Sequence, residues 1–576
     1  MTTISPVSLS EGKQFHAAER PFSTFWLGLW CVGLALGWLL PNHYVPWAAF
    51  HMDAWIATGL AIAAAVVIFR SKQPMAVHRS TLFFAVVAAI PFVQFWFGLL
   101  SFVGQAWIGS AFIVGLAVAI AVGGYWEVVS PGQPIDGLFA AIGIAAIVSV
   151  GLQLYQWLGL GVDVLDLWVM SSPDTRAFAN FAQPNQLATF LLWGLLAGAW
   201  SLLRGHIRPS VALLLALFLL FGVALTQSRT AFIAVIGLAL ATFGWRKLWP
   251  RSVLWTSAGL VAYFVLCVAV LPFLSSTLGL NETLGMVART DTSIRRAGLM
   301  LFLDAAMQAP WFGYGWSQSA VAQIAVAAQH AKLGTIFMHA HNLFLDLVIW
   351  CGIPLGVLLS VVIVWWFVDK TKRVVDQRDA LLVMFVAVVG WHAMLELPLH
   401  YAYMLLPTGL VIGVLNSRLA EPVTFFLRKR DFVCVYLVAV ALLMMIMRDY
   451  LRIEENFYVL RFERARIGSK PVEPPRNVLI LDHMNEFVRL GRTQAKRNMM
   501  EDELQWMRKA AYAYPGLANL FSLATAFAWN GRPGDAQALV NSLRGVSTAV
   551  QYAQMRGIWQ NAAREDAALA AVSWPE

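Results

Sequence analysis

Charge is what this chain has least of. Only 13% of its 576 residues are Asp, Glu, Lys or Arg, against about 25% in an ordinary soluble domain, so a water-solvated globule is excluded for most of its length. Cysteine is nearly absent too. Cys31, Cys267, Cys351 and Cys434 all fall inside apolar windows and none stands at a metal-ligand spacing, which argues against a disulfide framework or a zinc cluster. No HExxH or comparable motif occurs, so no metal site is expected. The first twenty residues are polar and lack a short apolar stretch ending at a small-residue cleavage site, so the first apolar run should be retained as a span. The net charge of +9 does not signal nucleic acid, because the basic residues sit between apolar runs.

What is abundant is apolar surface. Hydrophobic residues make up 59% of the chain and the mean hydropathy is +0.65. Windows of about 20 apolar residues, enough to cross a bilayer, recur over the first 447 positions. They predict spans near 22–40, 52–69, 81–103, 106–123, 137–160, 186–203, 210–226, 230–245, 253–274, 341–368, 380–397, 401–417 and 430–447. The expected fold is all-α, a polytopic bundle of about 12–13 transmembrane helices carrying a soluble helical C-terminal domain.

Lys and Arg alternate from loop to loop. Arg70, Lys72 and Arg79, then Arg204 and Arg208, Arg246, Lys247 and Arg251, Lys370 to Arg378, and Arg418 to Arg430 all follow even-numbered spans. The positive-inside rule makes these loops and the N-terminus cytoplasmic. Residues 1–20 then form a cytoplasmic tail, residues 21–447 a membrane domain with an outer loop over 275–340, and residues 448–576 a helical domain on the outer face. That last region contains a Pro-rich hinge at 470–475, helices expected over 450–466 and 499–514, and a helix pair, 517–529 and 534–543, of the tetratricopeptide kind.

Basic residues are scarce on the outer face: Arg176, Arg229, Arg289, Arg295, Arg296 and Lys332. Each lies in an unusual polar segment. Asn180 to Gln186 brings Gln183 and Asn185 to the mouth of a span, where carboxamides either cap the helix or bind a polar ligand such as a sugar; capping is the preferred reading. Thr226 to Thr230 holds Arg229 between two spans with almost no loop, and an ionisable group so placed is a functional candidate by default. Arg295 and Arg296 open a helix expected over 293–307, whose N-terminus adds donors for an anion; a solvated face is the plainer alternative. Finally, His339-Ala340-His341-Asn342 precedes the apolar run from Leu343 to Val368. Asp346 is expected to pair with Asn342 at i,i+4, as are His392 and Glu396, with His400 just beyond. Imidazole moves protons near neutral pH, and arginines clamp phosphate. Base and clamp at one membrane boundary point to group transfer from a lipid-linked phosphate.

These segments resemble the bacterial superfamily of O-antigen ligases, Wzy-type polymerases and protein O-oligosaccharyltransferases. The resemblance rests on His341-Asn342 with Gly352 beyond, on Ser228-Arg229-Thr230, and on Ser293-Ile294-Arg295 followed by the turn from Pro310 to Gly315. Gly356 stands one position later than the commonest spacing. The run Asn180 to Ala188 and the run Glu396 to Tyr401 look like those of protein glycosylation ligases of the PglL type, as does the soluble extension. The resemblance implies an inner-membrane glycosyltransferase with its active site facing the periplasm. It would transfer a glycan from undecaprenyl pyrophosphate to Ser or Thr of an exported protein such as a pilin, inverting the anomeric centre without metal or other cofactor. It further implies His341 as general base and Arg229 and Arg295 on the pyrophosphate, with Arg296 assisting; His339, Asn342, Gln183, Asn185, Glu396 and His400 would support substrate binding. An O-antigen ligase acting on lipid A–core and a Wzy-type polymerase are the alternatives within the superfamily. A transporter of the lipid-linked glycan is disfavoured, because alternating access favours a site near the midplane.

Overall fold

The computed structural model describes residues 21–161, 164–171, 176–280, 293–468 and 478–575. The N-terminal tail, Arg289 and the hinge at 470–475 lie outside the described residues. Lipid offers backbone groups no partner, so an apolar chain crossing it must satisfy its own hydrogen bonds as helix. Helices form at every expected span. They begin with α1 (Thr24–Gly37), α2 (Phe50–Arg70), α3 (Arg79–Val87), α4 (Ile90–Trp96), α5 (Val103–Val129) and α6 (Gln133–Trp157). They continue with α7 (Pro184–Leu203), α8 (Pro209–Leu225), α9 (Arg229–Gly244) and α10 (Arg251–Thr277). The outer loop contributes α11 (Ser293–Gln308) and α12 (Ser319–Val326), and the membrane part ends with α13 (Leu343–Cys351), α14 (Ile353–Lys372), α15 (Gln377–Ala393), α16 (Ala402–Arg418) and α17 (Lys429–Arg464). Among the described residues, 8 helical segments are long and apolar enough to cross a membrane by themselves; others, such as α1, α8 and α9, are shorter. Large apolar side chains such as Trp255, Phe273, Val361 and Trp365 point outward from α10 and α14, where lipid would cover them.

Two expectations need correction. The apolar run after His341 is not one helix. Gly352, at φ +79, breaks it, and Gly356 packs so closely on Leu347 and Val348 that the chain must bend sharply between α13 and α14. The last span and the helix expected over 450–466 are instead a single 36-residue helix, α17, with no break at 448.

Alternate loops gather at opposite ends of the bundle. At the basic end a two-stranded antiparallel ribbon pairs β1 (Met75–His78) with β2 (Val423–Leu427), so the loops after α2 and α16 meet. Arg204 bonds Asp136 at 2.7 Å, while Arg418 joins Glu127, Asp376 and Asp379. At the other end Asn180 donates to the Leu39 carbonyl, and Arg176 donates to that of Thr226. Here too lie the C-terminal helices, α18 (Asp482–Arg492), α19 (Glu501–Ala513), α20 (Leu517–Trp529), α21 (Pro533–Val546), α22 (Ala549–Ala563) and α23 (Ala567–Ala570). α20 and α21 form the expected hairpin. The Leu333 amide donates to the Gly545 carbonyl at 2.8 Å, and the Gly104 amide to Asp482 at 2.7 Å, so the C-terminal helices rest on the outer loops.

The turn from Pro310 to Trp316 explains two glycines. It wraps the end of α13: the amides of Tyr314 and Gly315 donate to the carbonyls of Ile349 and Trp350, and that of Ile353 to Pro310. Gly313, at φ +68, and Gly352 bring backbone against backbone here, where a methyl group on either would collide with a carbonyl.

Candidate active site

The first turn of α7 settles the role of its carboxamides. Gln183 caps the helix, its Oε1 accepting from the Gln186 amide at 2.7 Å, and its Nε2 donates to Glu396. Asn185 donates to the other oxygen of the same carboxylate and accepts from Arg176 at 3.2 Å. Capping is therefore right for Gln183 but incomplete, since both side chains also hold Glu396. Asn180 is spent structurally, on the backbone of Leu39, Trp168 and Met170.

Glu396 lies in the connection between α15 and α16, 8% exposed. The expected His392 pairing is present at 3.1 Å, and the other nitrogen of the buried His392 ring meets the Thr189 hydroxyl at 2.8 Å. Burial alone would raise the Glu396 pKa. The hydrogen bond and charge of His392, with the two amides, outweigh it and hold the carboxyl at about 2.

His341 stands beside this network. Asn342 fixes the start of α13, its Oδ1 accepting from the amides of Phe344 and Leu345 at 3.1 Å, and its Nδ2 donates to the Met394 carbonyl at 3.2 Å. That bond joins the His341 segment to the Glu396 loop. His341 itself adopts φ +55, a left-handed conformation costly for a non-glycine residue and one that concentrates at functional sites. Its ring lies 4.3 Å from His339 and 5.2 Å from Phe337; His339 lies 6.4 Å from His400, which packs on Trp350. Burial lowers the pKa of His341; Glu396 and the Leu395 backbone oppose this, and Arg295 adds to it. His339 falls to about 2 through burial and then its two histidine neighbours, and His400 to about 4 through burial. All three imidazoles are neutral at neutral pH.

The arginines are placed differently. Arg229 opens α9 behind Ser228, which accepts from the Ala231 amide. It is half-buried and has no ion pair or hydrogen bond among the described residues. The Trp391 indole donates to the Thr230 carbonyl at 3.2 Å, which sets this helix end beside His392. Arg295 and Arg296 are exposed on the first turn of α11, equally unpaired among the described residues, and Arg295 is close enough for its charge to act on His341. The structure thus brings His339, His341, Asn342, Gln183, Asn185, Glu396 and His400 into one cluster with Arg295 in electrostatic range; Arg296 makes no contact with it.

The expected Asp346–Asn342 pairing is absent. The fully buried Asp346 accepts instead from Ser319 at 2.6 Å and from the Ala340 amide at 2.9 Å, holding the peptide beside His341. Sequence reasoning missed this positioning role, although a carboxylate in an apolar helix is itself a signal. It also missed Thr189 as partner of His392, and Arg176 as the brace between Asn185 and the loop before Arg229.

A cavity of about 1280 Å³ starts beside this cluster, where Met338, Leu343, Met394 and His400 line it. It continues between α9, α14, α15 and α16 past Ile233, Gly237, Leu359 and Ile363, a mostly apolar passage down the bundle.

Similarity to known proteins follows the same residues. Residues 177–201, with Gln183 and Asn185, match the family profile described as a protein glycosylation ligase. Residues 214–360, with Arg229, Arg295 and His341, match that of the O-antigen ligases. Residues 380–561, from α15 into the C-terminal helices, match the C-terminal part of a membrane-bound polymerase described as a virulence factor. The chain is 28% identical over 441 residues to the general O-oligosaccharyltransferase of Acinetobacter baylyi (strain ATCC 33305 / BD413 / ADP1), covering 73% of this chain and 75% of that one. It is 26% identical over 405 residues to the ComP-specific O-oligosaccharyltransferase of the same strain, covering 69% and 72%. The protein is thus a multi-pass membrane glycosyltransferase. Within that class it is similar to the O-antigen ligases and to the PglL-type glycosylation ligases.

Glu396→Ala should leave two half-buried amides and the buried His392 without their acceptor. A loss of about 2–4 kcal/mol of stability is expected, read as a lowered melting temperature of the full-length protein in detergent. An unchanged melting temperature would mean that the carboxylate does not hold these elements together.

Proposed function

We propose that the protein transfers a preassembled glycan from undecaprenyl pyrophosphate to Ser or Thr hydroxyls of an exported protein such as a pilin. The observation that carries this reading is one juxtaposition. A neutral His341 imidazole, and arginines with no ion pair or hydrogen bond among the described residues, accompany a long apolar cavity lined by the neighbouring Met338, Leu343 and His400. The apolar passage suits the polyprenyl chain. Arg229 and Arg295 hold the pyrophosphate, with Arg296 in a lesser role at the rim. An acceptor hydroxyl gives its proton to His341 while its oxygen attacks the anomeric carbon. The bond from that carbon to the phosphate oxygen breaks, the configuration inverts, and the lipid keeps the pyrophosphate. A positioned base contributes typically about 10²–10⁴-fold, and the arginines stabilise the leaving group without metal or cofactor.

The basic loops lie at the end away from His341, which supports a periplasmic site in the bacterial inner membrane, with the C-terminal helices on the same side. The names of the two Acinetobacter relatives support a protein acceptor over lipid A–core. Reconstitution with an undecaprenyl-pyrophosphate glycan, offering a pilin and lipid A–core together, separates the two. Glycan should appear on the pilin, and His341→Ala should reduce transfer by at least about 100-fold with donor binding retained. Transfer to lipid A–core alone would make the protein an O-antigen ligase, and wild-type rates in His341→Ala would remove the base.

The pH profile offers a separate check. A base must be unprotonated, and burial and Arg295 both depress the His341 pKa below its ordinary 6.5. The acid limb of kcat/KM should therefore have its midpoint below 6.5. Arg295→Gln removes a charge that opposes the imidazolium, so the limb should move to higher pH; a shift to lower pH would contradict the arrangement.

A further inference from the structure

The cavity that passes the histidine cluster has a second arm of different chemistry. Beneath the C-terminal helices it is lined by Trp47, Gln105, Trp316, Gln318, His483 and Tyr514. These residues come from the first outer loop, the start of α5, the turn after α11, the start of α18 and the end of α19. The arm is firmly built. Asp449 of α17 accepts from the amides of Leu479, Ile480 and Leu481, fixing the approach to α18, and Asp482 accepts from Gly104 at the head of α5.

Few of its polar groups are spent on hydrogen bonds. His483 is only 5% exposed and its Nδ1 is fully buried; that nitrogen lies 3.8 Å from an Asp482 oxygen, too far for a hydrogen bond, and neither ring nitrogen has a hydrogen-bond partner among the described residues. The ring stacks with Tyr514 at 5.9 Å, and the Tyr514 hydroxyl is likewise unpaired among the described residues. Gln105 uses its Oε1 on the amides of Ser101 and Phe102, and its Nε2 has no partner among the described residues. The Trp316 indole N–H has no acceptor among the described residues. A polar atom buried without a partner costs free energy unless a ligand satisfies it. Flat aromatic faces beside free donors and acceptors match one ligand class well: a sugar stacks its C–H face on the ring and bonds through its hydroxyls.

We infer that this arm receives the outer sugars of the lipid-linked glycan, those beyond the sugar that reacts. The inference rests on the reading of the donor given above. The arm and the apolar passage belong to one cavity, which His400 of the histidine cluster lines, so lipid and glycan extend from beside the cluster into surfaces that suit each. The C-terminal helices then select donor glycans.

The test compares binding of two donors to the full-length protein in nanodiscs: undecaprenyl pyrophosphate bearing one sugar, and the same lipid bearing an oligosaccharide. Wild type should bind the oligosaccharide form more tightly. His483→Ala and Tyr514→Phe should each weaken that form by about 3–10-fold, the worth of one hydrogen bond, and leave the one-sugar form unchanged. The one-sugar donor serves as the folding control. Equal affinity of wild type for both donors, or equal loss on both in the variants, would overturn the inference. So would an unchanged donor affinity accompanied by a raised KM for the acceptor protein, which would give the arm to the acceptor. Because binding is read without transfer, a wild type that glycosylates only lipid A–core would refute the acceptor assignment and leave this result standing.

Discussion

The geometry of the site depends on satisfying one buried carboxylate. Glu396 sits at the outer end of the bundle, where an unpaired charge would be costly. Its donors come from distant stretches of chain, Gln183 and Asn185 on the first turn of α7 and His392 on α15. Satisfying the charge therefore fixes the start of α7 against the end of α15. The restraint passes outward in both directions. Asn185 engages Arg176, which grips the carbonyl of Thr226 three residues before Arg229. On the other side, the Met394 carbonyl receives Asn342, immediately after His341. The segments bearing His341 and Arg229 are thus registered through a single ionised group.

A second buried carboxylate completes this frame from the loop side. Asp346 joins Ser319 of α12 to the Ala340 amide, and the Trp350 indole donates to the same serine at 2.8 Å. Together with the glycine turn that wraps the end of α13, these bonds leave the His341 segment little freedom. That over-determination is what can sustain a left-handed histidine.

Much of this was legible in the sequence, and the failures share a cause. The spans were legible because lipid demands helices of a minimum length. The His392–Glu396 pair was legible because i,i+4 neighbours meet on any helix. The partner of Gln183 was not, since it lies 213 residues away and no local rule links them. For Asp346 the local rule misled: Asn342 was the helical neighbour, but a serine hydroxyl and a loop amide took the carboxylate. The break at Gly352 was hidden because hydropathy is continuous across it. Its positive φ and the tertiary approach of the Trp311 backbone demand the glycine, and neither shows in hydropathy. The ribbon between β1 and β2 was invisible for a related reason, each strand being too short to show a period.

As proposed, the site must reconcile a positive clamp with a neutral base. Arg295 bears on both: it has no ion pair or hydrogen bond among the described residues, and its charge adds to burial in lowering the pKa of His341. On the proposed reading those two roles are sequential. A pyrophosphate that engages Arg295 cancels much of its field at His341 and adds negative charge nearby, and both effects favour the imidazolium. The base would strengthen as the donor binds, remaining unprotonated in the empty site and taking up a proton most readily when a leaving group is in place. Free and donor-bound enzyme should then titrate differently. The acid limb of kcat, which reports the complex, should lie at higher pH than that of kcat/KM, which reports the free enzyme. Coincident limbs would show that the clamp and the base do not sense each other.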